Sequence, residues 1–325
     1  MKKEELKIVF MGTPEFAVAT LQAIVEQGYN VVAVVTQPDK PVGRHGSVLQ
    51  KPAVKQYAER VGLPVMQPEK MKDPAFLQQL RSYGANLQVV VAFRMLPEVV
   101  WNMPELGTFN VHAALLPQYR GAAPINWAII NGETETGVTT FFLDHNIDTG
   151  RILLQHPYPI RDEADVEEVY NGLMRLGAKA CIETLQRIVE ADGHPQSIEQ
   201  AQLVKGELHN APKLYKENCQ IDWQQPAKRI YDFVRGLSPV PGAWTHDGEG
   251  HIYKVYETAK TSLPANAETG TVVADRKHLY VCCSDLLLEI KQLQPAGKKR
   301  MDAAAFLNGS RNTIETLRFV PLQET

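Results

Sequence analysis

LKIVFMGTPEFAVATLQAIVEQGYNVVAVVTQ, residues 6–37, decides the fold class. It opens on an unbroken apolar run, LKIVFMG, passes through PEFAVATLQAIVEQG with apolar residues at helical spacing, and closes on a second apolar run, NVVAVVTQ. Strands covered on both faces read as continuous Val- and Ile-rich runs, so two of them joined by one amphipathic helix make a βαβ unit of a parallel sheet. The helix is expected to begin with Thr13 as cap and Pro14 in its first turn, and to carry Glu15 at the positive end of its dipole. Phe16, Leu21, Ile24 and Val25 form its apolar side, and Gly28 is its stop. The pattern then repeats. LPVMQ, NLQVVVAF and TFNVHA read as further strands, with KPAVKQYAERVG and DPAFLQQLRSYG as helices between them. The first part of the chain is therefore α/β, a doubly wound, mostly parallel sheet, and such sheets place ligands in the crevice beyond the carboxyl ends of their strands.

A chain of 325 residues is long for one core and favours two domains. Hydrophobic residues at 44% and charged residues at 22% are ordinary globular usage, and no apolar stretch is long enough to span a bilayer, so a membrane-embedded protein is excluded. The start, MKKEELKIVFMGTPEF, lacks the apolar core and cleavage site of a secretory signal and reads as a first strand. Cys181, Cys219, Cys282 and Cys283 form neither C-x-x-C nor a zinc-like spacing, which points to reduced thiols and a cytoplasmic setting. DVEEVYNGLMRLGAKACIETLQRIVEADG closes the first domain as a long helix with Val166, Val169, Leu173, Leu176, Cys181, Leu185 and Ile188 near helical spacing, so Cys181 reads as core. Between about 194 and 215 the periodicity fades into a polar connector, which sets the expected boundary between domains at 1–205 and 206–325. Beyond it, GAWTH, HIYKVYETA, GTVVAD, LYVCCSD and LLLEIKQLQP are short strands separated by turn residues, as in a small β-barrel or sandwich. The net charge of −3 argues against a general nucleic-acid coat. Residues 1–211 carry 19 Lys and Arg against 24 Asp and Glu, and residues 212–325 carry 15 against 13. Ordinary surface charge or an anionic partner of the C-terminal part explains that split.

Several ligand motifs fail. MGTPEF has one glycine where G-x-G-x-x-G is needed for a dinucleotide, and G-x-x-x-x-G-K-[ST], G-x-S-x-G and H-E-x-x-H are absent. The chemistry gathers instead in FNVHAALLPQYRGAAPINWAIINGETETG, residues 109–137. Residues i and i+2 of a strand share a side, so Asn110 and His112 project together near a strand end. Downstream, TTFFLDHNIDTGRIL is an apolar strand ending in a loop with Asp148 and Gly150, which can bring a carboxylate to the same crevice. Asn donates a hydrogen bond to a carbonyl oxygen, His moves a proton near neutral pH, and Asp orients the ring or takes a proton. Together they suit acyl-type transfer to an amine, with Asn110 and protonated His112 stabilising an oxyanion and Asp148 helping to deprotonate the amine. The plainer alternative has Asn110 capping a turn, His112 packed, and Asp148 opening the D-T-G turn. Spacing leaves both open.

FMGTPEFAV, PDKPVGR, NVHAALLPQYRGAAPINWAI, GETETGVT, DTGRIL, APKLYKE, IDW, PVPGAWT and FLNG, in this order, closely resemble the methionyl-tRNA formyltransferase family, from Lys7 to about Gly309. The resemblance implies a Rossmann-like N-terminal formyltransferase domain and a C-terminal OB-like β-barrel. It also implies transfer of the formyl group of 10-formyltetrahydrofolate to the α-amine of methionine on initiator tRNA, in a monomeric cytoplasmic enzyme without a metal. By motif, Asn110, His112 and Asp148 are its catalytic trio. Ala114, Leu115, Leu116 and Pro117 align with its folate segment, and the backbone of Arg94 and Leu96 in VVAFRMLP with its pterin wall. PDKPVGR is similar to its tRNA-facing loop, with Arg44 as the contact, and Lys298, Lys299 and Arg300 form a basic cluster on the tRNA-binding domain. The family usually has Ser where this chain has Ala114, which would remove a side-chain hydrogen bond near the folate. A formyltransferase acting on a UDP-4-amino-sugar shares the trio and is the alternative. MGTPEF, PDKPVGR and the basic cluster favour tRNA.

Overall fold

The computed structural model describes residues 1–42, 48–309 and 314–320. The chain divides into two compact units. One comprises Met1–Gly121, Glu135–Pro159 and Tyr170–Asn210, and the other Ala122–Thr134, Ile160–Val169 and Ala211–Thr325.

The first unit is built on a seven-stranded sheet in the order Ile152–Pro159, Glu135–Phe142, Thr108–His112, Leu87–Val91, Lys7–Gly12, Asn30–Val35, Val65–Met66. The five strands from Thr108–His112 to Val65–Met66 run parallel, Glu135–Phe142 runs antiparallel to Thr108–His112, and Ile152–Pro159 turns back antiparallel to Glu135–Phe142, as an α/β sheet with an appended hairpin. Ile8, Val9, Phe10 and Met11 are fully buried, as are Ala33, Val34 and Val35, which is why these strands read as unbroken apolar runs. The first helix spans Glu15–Glu26 and buries Phe16, Leu21 and Ile24, and Gly28 ends it at φ +71°. Its start differs from the sequence expectation. Pro14, not Thr13, is the cap residue, and the Thr13 hydroxyl is buried without a hydrogen-bond partner among the described residues. Proline supplies the extended backbone of a cap, so the turn begins one residue later than the Ser/Thr rule places it. The third helix, Pro74–Ser82, does follow the rule, with the Asp73 carboxylate accepting from the Ala75 N–H at 3.2 Å.

The second unit carries an antiparallel sheet ordered Ala243–His246, Ile252–Pro264, Leu286–Pro295, Leu279–Cys282, Val272–Ala274, with Met301–Asp302 paired to Leu286–Pro295. Its two edges are joined by the segment around Phe319. The Phe319 N–H donates to the Gly270 carbonyl at 2.8 Å, and the Val320 N–H to the His246 carbonyl at 2.9 Å, so the sheet closes on itself. Gly270 is required there, because a Cβ would lie 2.0 Å from the Phe319 carbonyl oxygen. Trp223 fills the interior, stacked on Phe319 at 5.7 Å with its indole N–H bonded to the Thr245 hydroxyl at 3.0 Å. The helix Pro124–Ile130 packs on Ala227–Leu237 in this unit, where Asn126 donates to the Gly236 carbonyl at 2.8 Å.

A buried ion pair ties this unit's separate chain segments together. Asp232 and Arg235, with side chains 4% and 8% exposed, meet at 2.8 Å, and Arg235 also donates to the Ala164 carbonyl at 2.9 Å. Lys228 reaches the same carboxylate from a half-exposed position. Removing one partner of a buried pair strands the other charge, whereas removing the exposed partner does not. Asp232→Ala is expected to cost about 3–5 kcal/mol and Lys228→Ala under about 1 kcal/mol, measured by chemical denaturation of the full chain.

Candidate active site

The strand Thr108–His112 lies between a parallel neighbour and an antiparallel one, with Asn110 opposite Val90 and Phe141, and His112 opposite Thr139. His112 is 7% exposed, and its Nε2 lies 2.9 Å from the Tyr119 carbonyl oxygen. A carbonyl only accepts, so Nε2 carries the hydrogen, and Nδ1 is the atom left to gain and lose a proton. Nδ1 faces the Asp148 carboxylate, at 3.9 Å from Oδ2. That separation is too long for a direct hydrogen bond.

The Asp148 side chain is only 14% exposed, and its Oδ2 accepts from the Gly121 N–H at 2.9 Å. Two residues of one turn therefore define the pair, the Tyr119 carbonyl holding His112 and the Gly121 N–H holding Asp148. Tyr119 and Asp148 both have left-handed backbone, at φ +59° and +55°. Such conformations are uncommon in residues with a Cβ and persist where the surroundings impose them. The Asp148 loop is braced from within, because Asp144 Oδ1 accepts from the Asn146 N–H at 3.0 Å and the Thr149 hydroxyl at 2.7 Å. It is also pressed against its own strand, since a Cβ on Gly150 would stand 1.6 Å from the Phe142 carbonyl oxygen. A fourth residue enters from the polar connector. Gln200, 3% exposed, donates to the Asp148 and Gly150 carbonyls, both at 2.9 Å, and accepts from Arg120. No sequence signal marks Gln200, which sits alone in a polar stretch.

Ala114, Leu115, Leu116 and Pro117 begin two residues after His112, with a cis Leu116–Pro117 bond. The Thr139 hydroxyl donates to the Ala114 carbonyl at 2.6 Å and accepts from the Leu116 N–H at 3.0 Å, and Gln155 donates to the Leu116 carbonyl at 2.8 Å. The segment is thus held through its backbone from the neighbouring strands, and the Ala114 side chain is fully buried. Arg94 and Leu96 follow the strand Leu87–Val91. Leu96 packs inward at 8% exposure, and the Arg94 guanidinium donates to the Pro68 and Glu69 carbonyls. Burial pushes the Arg94 pKa below its ordinary value, and its Nε is buried with no partner among the described residues. Arg44 lies outside the described residues; the exposed strands Lys40–Val42 and Val48–Gln50 pair antiparallel. In the second unit, Lys298 and Lys299 are exposed on a turn, while Arg300 lies 4.5 Å from the Tyr256 ring and donates to Gln292 at 2.6 Å. The four cysteines are free and buried, and burial raises the thiol pKa of Cys181 and pushes Cys283 up to about 12, so neither offers a thiolate. No group of three or more His, Cys, Asp or Glu is placed to hold a metal among the described residues.

Residues 6–185 match the family model for formyl transferase, and residues 213–311 match the one for its C-terminal domain. A methionyl-tRNA formyltransferase of Parabacteroides distasonis is 58% identical over 97% of this chain and 99% of its own. This chain belongs to the methionyl-tRNA formyltransferase family. The corresponding enzyme of Bacteroides fragilis is 55% identical over 95% of this chain and 96% of its own. An N-formyltransferase from Helicobacter canadensis, solved with folinic acid and dTDP-3-aminofucose, shares the fold at a TM-score of 0.60 and 17% identity, over 91% of this chain and 100% of that one. Membership therefore goes with the tRNA enzymes, and the likeness to the sugar enzyme is one of fold.

Within this methionyl-tRNA formyltransferase framework, the geometry of the Asp148 loop depends on Gly150 lacking a Cβ. Gly150→Ala is expected to displace the loop and lower formyl transfer by about 100-fold, while thermal unfolding of the full chain remains cooperative. Unchanged turnover would mean that the close approach to Phe142 does not set the position of Asp148.

Proposed function

We propose that this chain transfers the formyl group of 10-formyltetrahydrofolate to the α-amine of methionine on initiator methionyl-tRNA, with Asn110, His112 and Asp148 as its catalytic residues. The observation that carries the mechanism is the orientation of His112, whose Nε2–H is committed to the Tyr119 carbonyl while Nδ1 faces Asp148. As the amine nitrogen adds to the formyl carbon, the carbonyl oxygen gains negative charge. The Asn110 amide and the Nδ1–H of protonated His112 are the donors that meet it. Asp148 has Oδ2 engaged by the Gly121 N–H and Oδ1 left to accept the amine proton, directly or through a water. The new C–N bond remains, the bond from the formyl carbon to N10 breaks, and N10 takes up a proton. No side chain is acylated.

We assign the folate to the segments beside the trio. Ala114, Leu115, Leu116 and Pro117 are held by Thr139 and Gln155. The backbone of Arg94 and Leu96 would face the pterin, and the buried, unpartnered Nε of Arg94 is a polar atom suited to a ligand edge. For tRNA, we assign Arg44 as a contact of the acceptor end and Lys298, Lys299 and Arg300 as contacts of the C-terminal unit. In the same unit Trp244 pairs with Lys254 across neighbouring strands, and Lys216 lies 5.6 Å from the Trp244 ring. Cations interleaved with aromatic rings suit phosphates and unstacked bases. A monomer working in the cytoplasm agrees with the substrate, and no helix among the described residues is long and apolar enough to cross a membrane.

The test offers labelled 10-formyltetrahydrofolate with methionyl initiator tRNA and with a UDP-4-amino-sugar in parallel. Label is expected in the tRNA, falling by about 10²–10⁴-fold in His112→Ala and in Asp148→Asn with the fold retained. Near-normal turnover in either variant sinks the mechanism, and label only in the sugar overturns the acceptor. For Arg44→Ala and for Lys298→Ala/Lys299→Ala, kcat/KM for tRNA should fall with a shallower salt dependence while KM for folate is unchanged. An unaltered kcat/KM removes these residues from the interface.

A further inference from the structure

We propose that Gln200 is a positioning residue for Asp148, holding its loop at the height that leaves the 3.9 Å gap to His112; this rests on the reading of Asp148 as catalytic. Gln200 begins the short 3-10 turn Gln200–Leu203, in a connector that is otherwise polar and largely exposed, yet its own side chain is 3% exposed. Its amide is saturated. Nε2 spends its hydrogens on the Asp148 and Gly150 carbonyls at 2.9 Å each, and Oε1 accepts from Arg120 Nε at 3.1 Å and Nη2 at 2.7 Å. A flipped amide would set NH₂ against guanidinium donors and oxygen against two carbonyls, so the orientation is unique.

The bonds join the two backbone stretches that define the catalytic pair. Arg120 lies between Tyr119, whose carbonyl holds His112, and Gly121, whose N–H holds Asp148. The two carbonyls gripped by Nε2 flank Thr149 on the Asp148 loop. One planar group thus fixes both loops relative to each other, and it does so at a residue whose left-handed φ of +55° needs external support. Asn is one methylene too short to span the same four partners, and Glu supplies no donors.

The experiment uses Gln200→Glu and Gln200→Met in the full chain, with Asp148→Asn alone and combined with each. Glutamate keeps the volume and the Arg120 pairing but turns lone pairs toward the Asp148 and Gly150 carbonyls, so it releases the loop without emptying the site. Methionine keeps the length and removes all four bonds, and whichever variant keeps the parent's thermal midpoint is read. The expected result is a fall in kcat of about 10- to 100-fold with KM for folate and tRNA unchanged. In single-turnover assays the loss should vanish in the Asp148→Asn background, because the two residues act through one group. A full kcat in the folded Gln200 variant, a loss confined to KM, or a loss of equal size with and without the Asp148 carboxylate overturns the proposal. If Asp148→Asn itself turns over like the parent, the catalytic reading fails first, and a crippled Asp148→Asn beside an active Gln200→Glu sinks only the positioning role.

Discussion

The hydrogen bond from His112 Nε2 to the Tyr119 carbonyl is the constraint on which the site depends. It fixes the ring in one tautomer and turns Nδ1 toward Asp148. Without it, an imidazole at 7% exposure would be a polar group buried among apolar strands, satisfied by whatever partner it found. With it, one nitrogen is committed to the backbone and the other faces the Asp148 carboxylate. The left-handed Tyr119 is what turns that carbonyl inward, and the next N–H but one, from Gly121, then meets the Asp148 carboxylate. The turn is a template for both groups.

Rigidity around this template comes from side-chain to backbone bonds. Thr139, fully buried, serves the Ala114 carbonyl and the Leu116 N–H at once, and Gln155 adds a bond to the Leu116 carbonyl. Gln200 does the same for the Asp148 loop. Loops that carry reacting groups expose backbone donors and acceptors to a crevice, and each must be satisfied if the loop is to keep one conformation. The seven-stranded sheet supplies the fixed ends, and these amides and hydroxyls supply the fine position.

Much of this was legible in order along the chain. Runs such as LKIVFMG and NVVAVVTQ announce buried parallel strands because a strand covered on both faces has no polar positions, and both are paired as expected. The period of two on an otherwise apolar strand put Asn110 and His112 on one side of it, and the structure brings Asp148, from after the next strand, to 3.9 Å from His112. Thr13 misled because a Ser/Thr before a helix is only a statistical cap, and Pro14 took the position. The bond that holds the Ala114 segment was not legible, because Thr139 grips its backbone carbonyl, which every residue type possesses. The polar connector concealed Gln200 for a similar reason, since nothing in a run of polar residues distinguishes the one that turns inward.

By itself the sequence determined the alternation of strands and helices, the strand-end placement of Asn110 and His112, and the kinship with methionyl-tRNA formyltransferases, because periodicity and motif are local and survive without coordinates. Only the tertiary structure decided which nitrogen of His112 is committed and what grips the Asp148 loop. It also decided that residues 122–134 and 160–169 group with the C-terminal unit, and that Phe319 closes the sheet there. Those contacts join residues up to tens of positions apart through backbone carbonyls and N–H groups. Every residue except proline carries both, so no pattern of side chains along the chain can report where they meet.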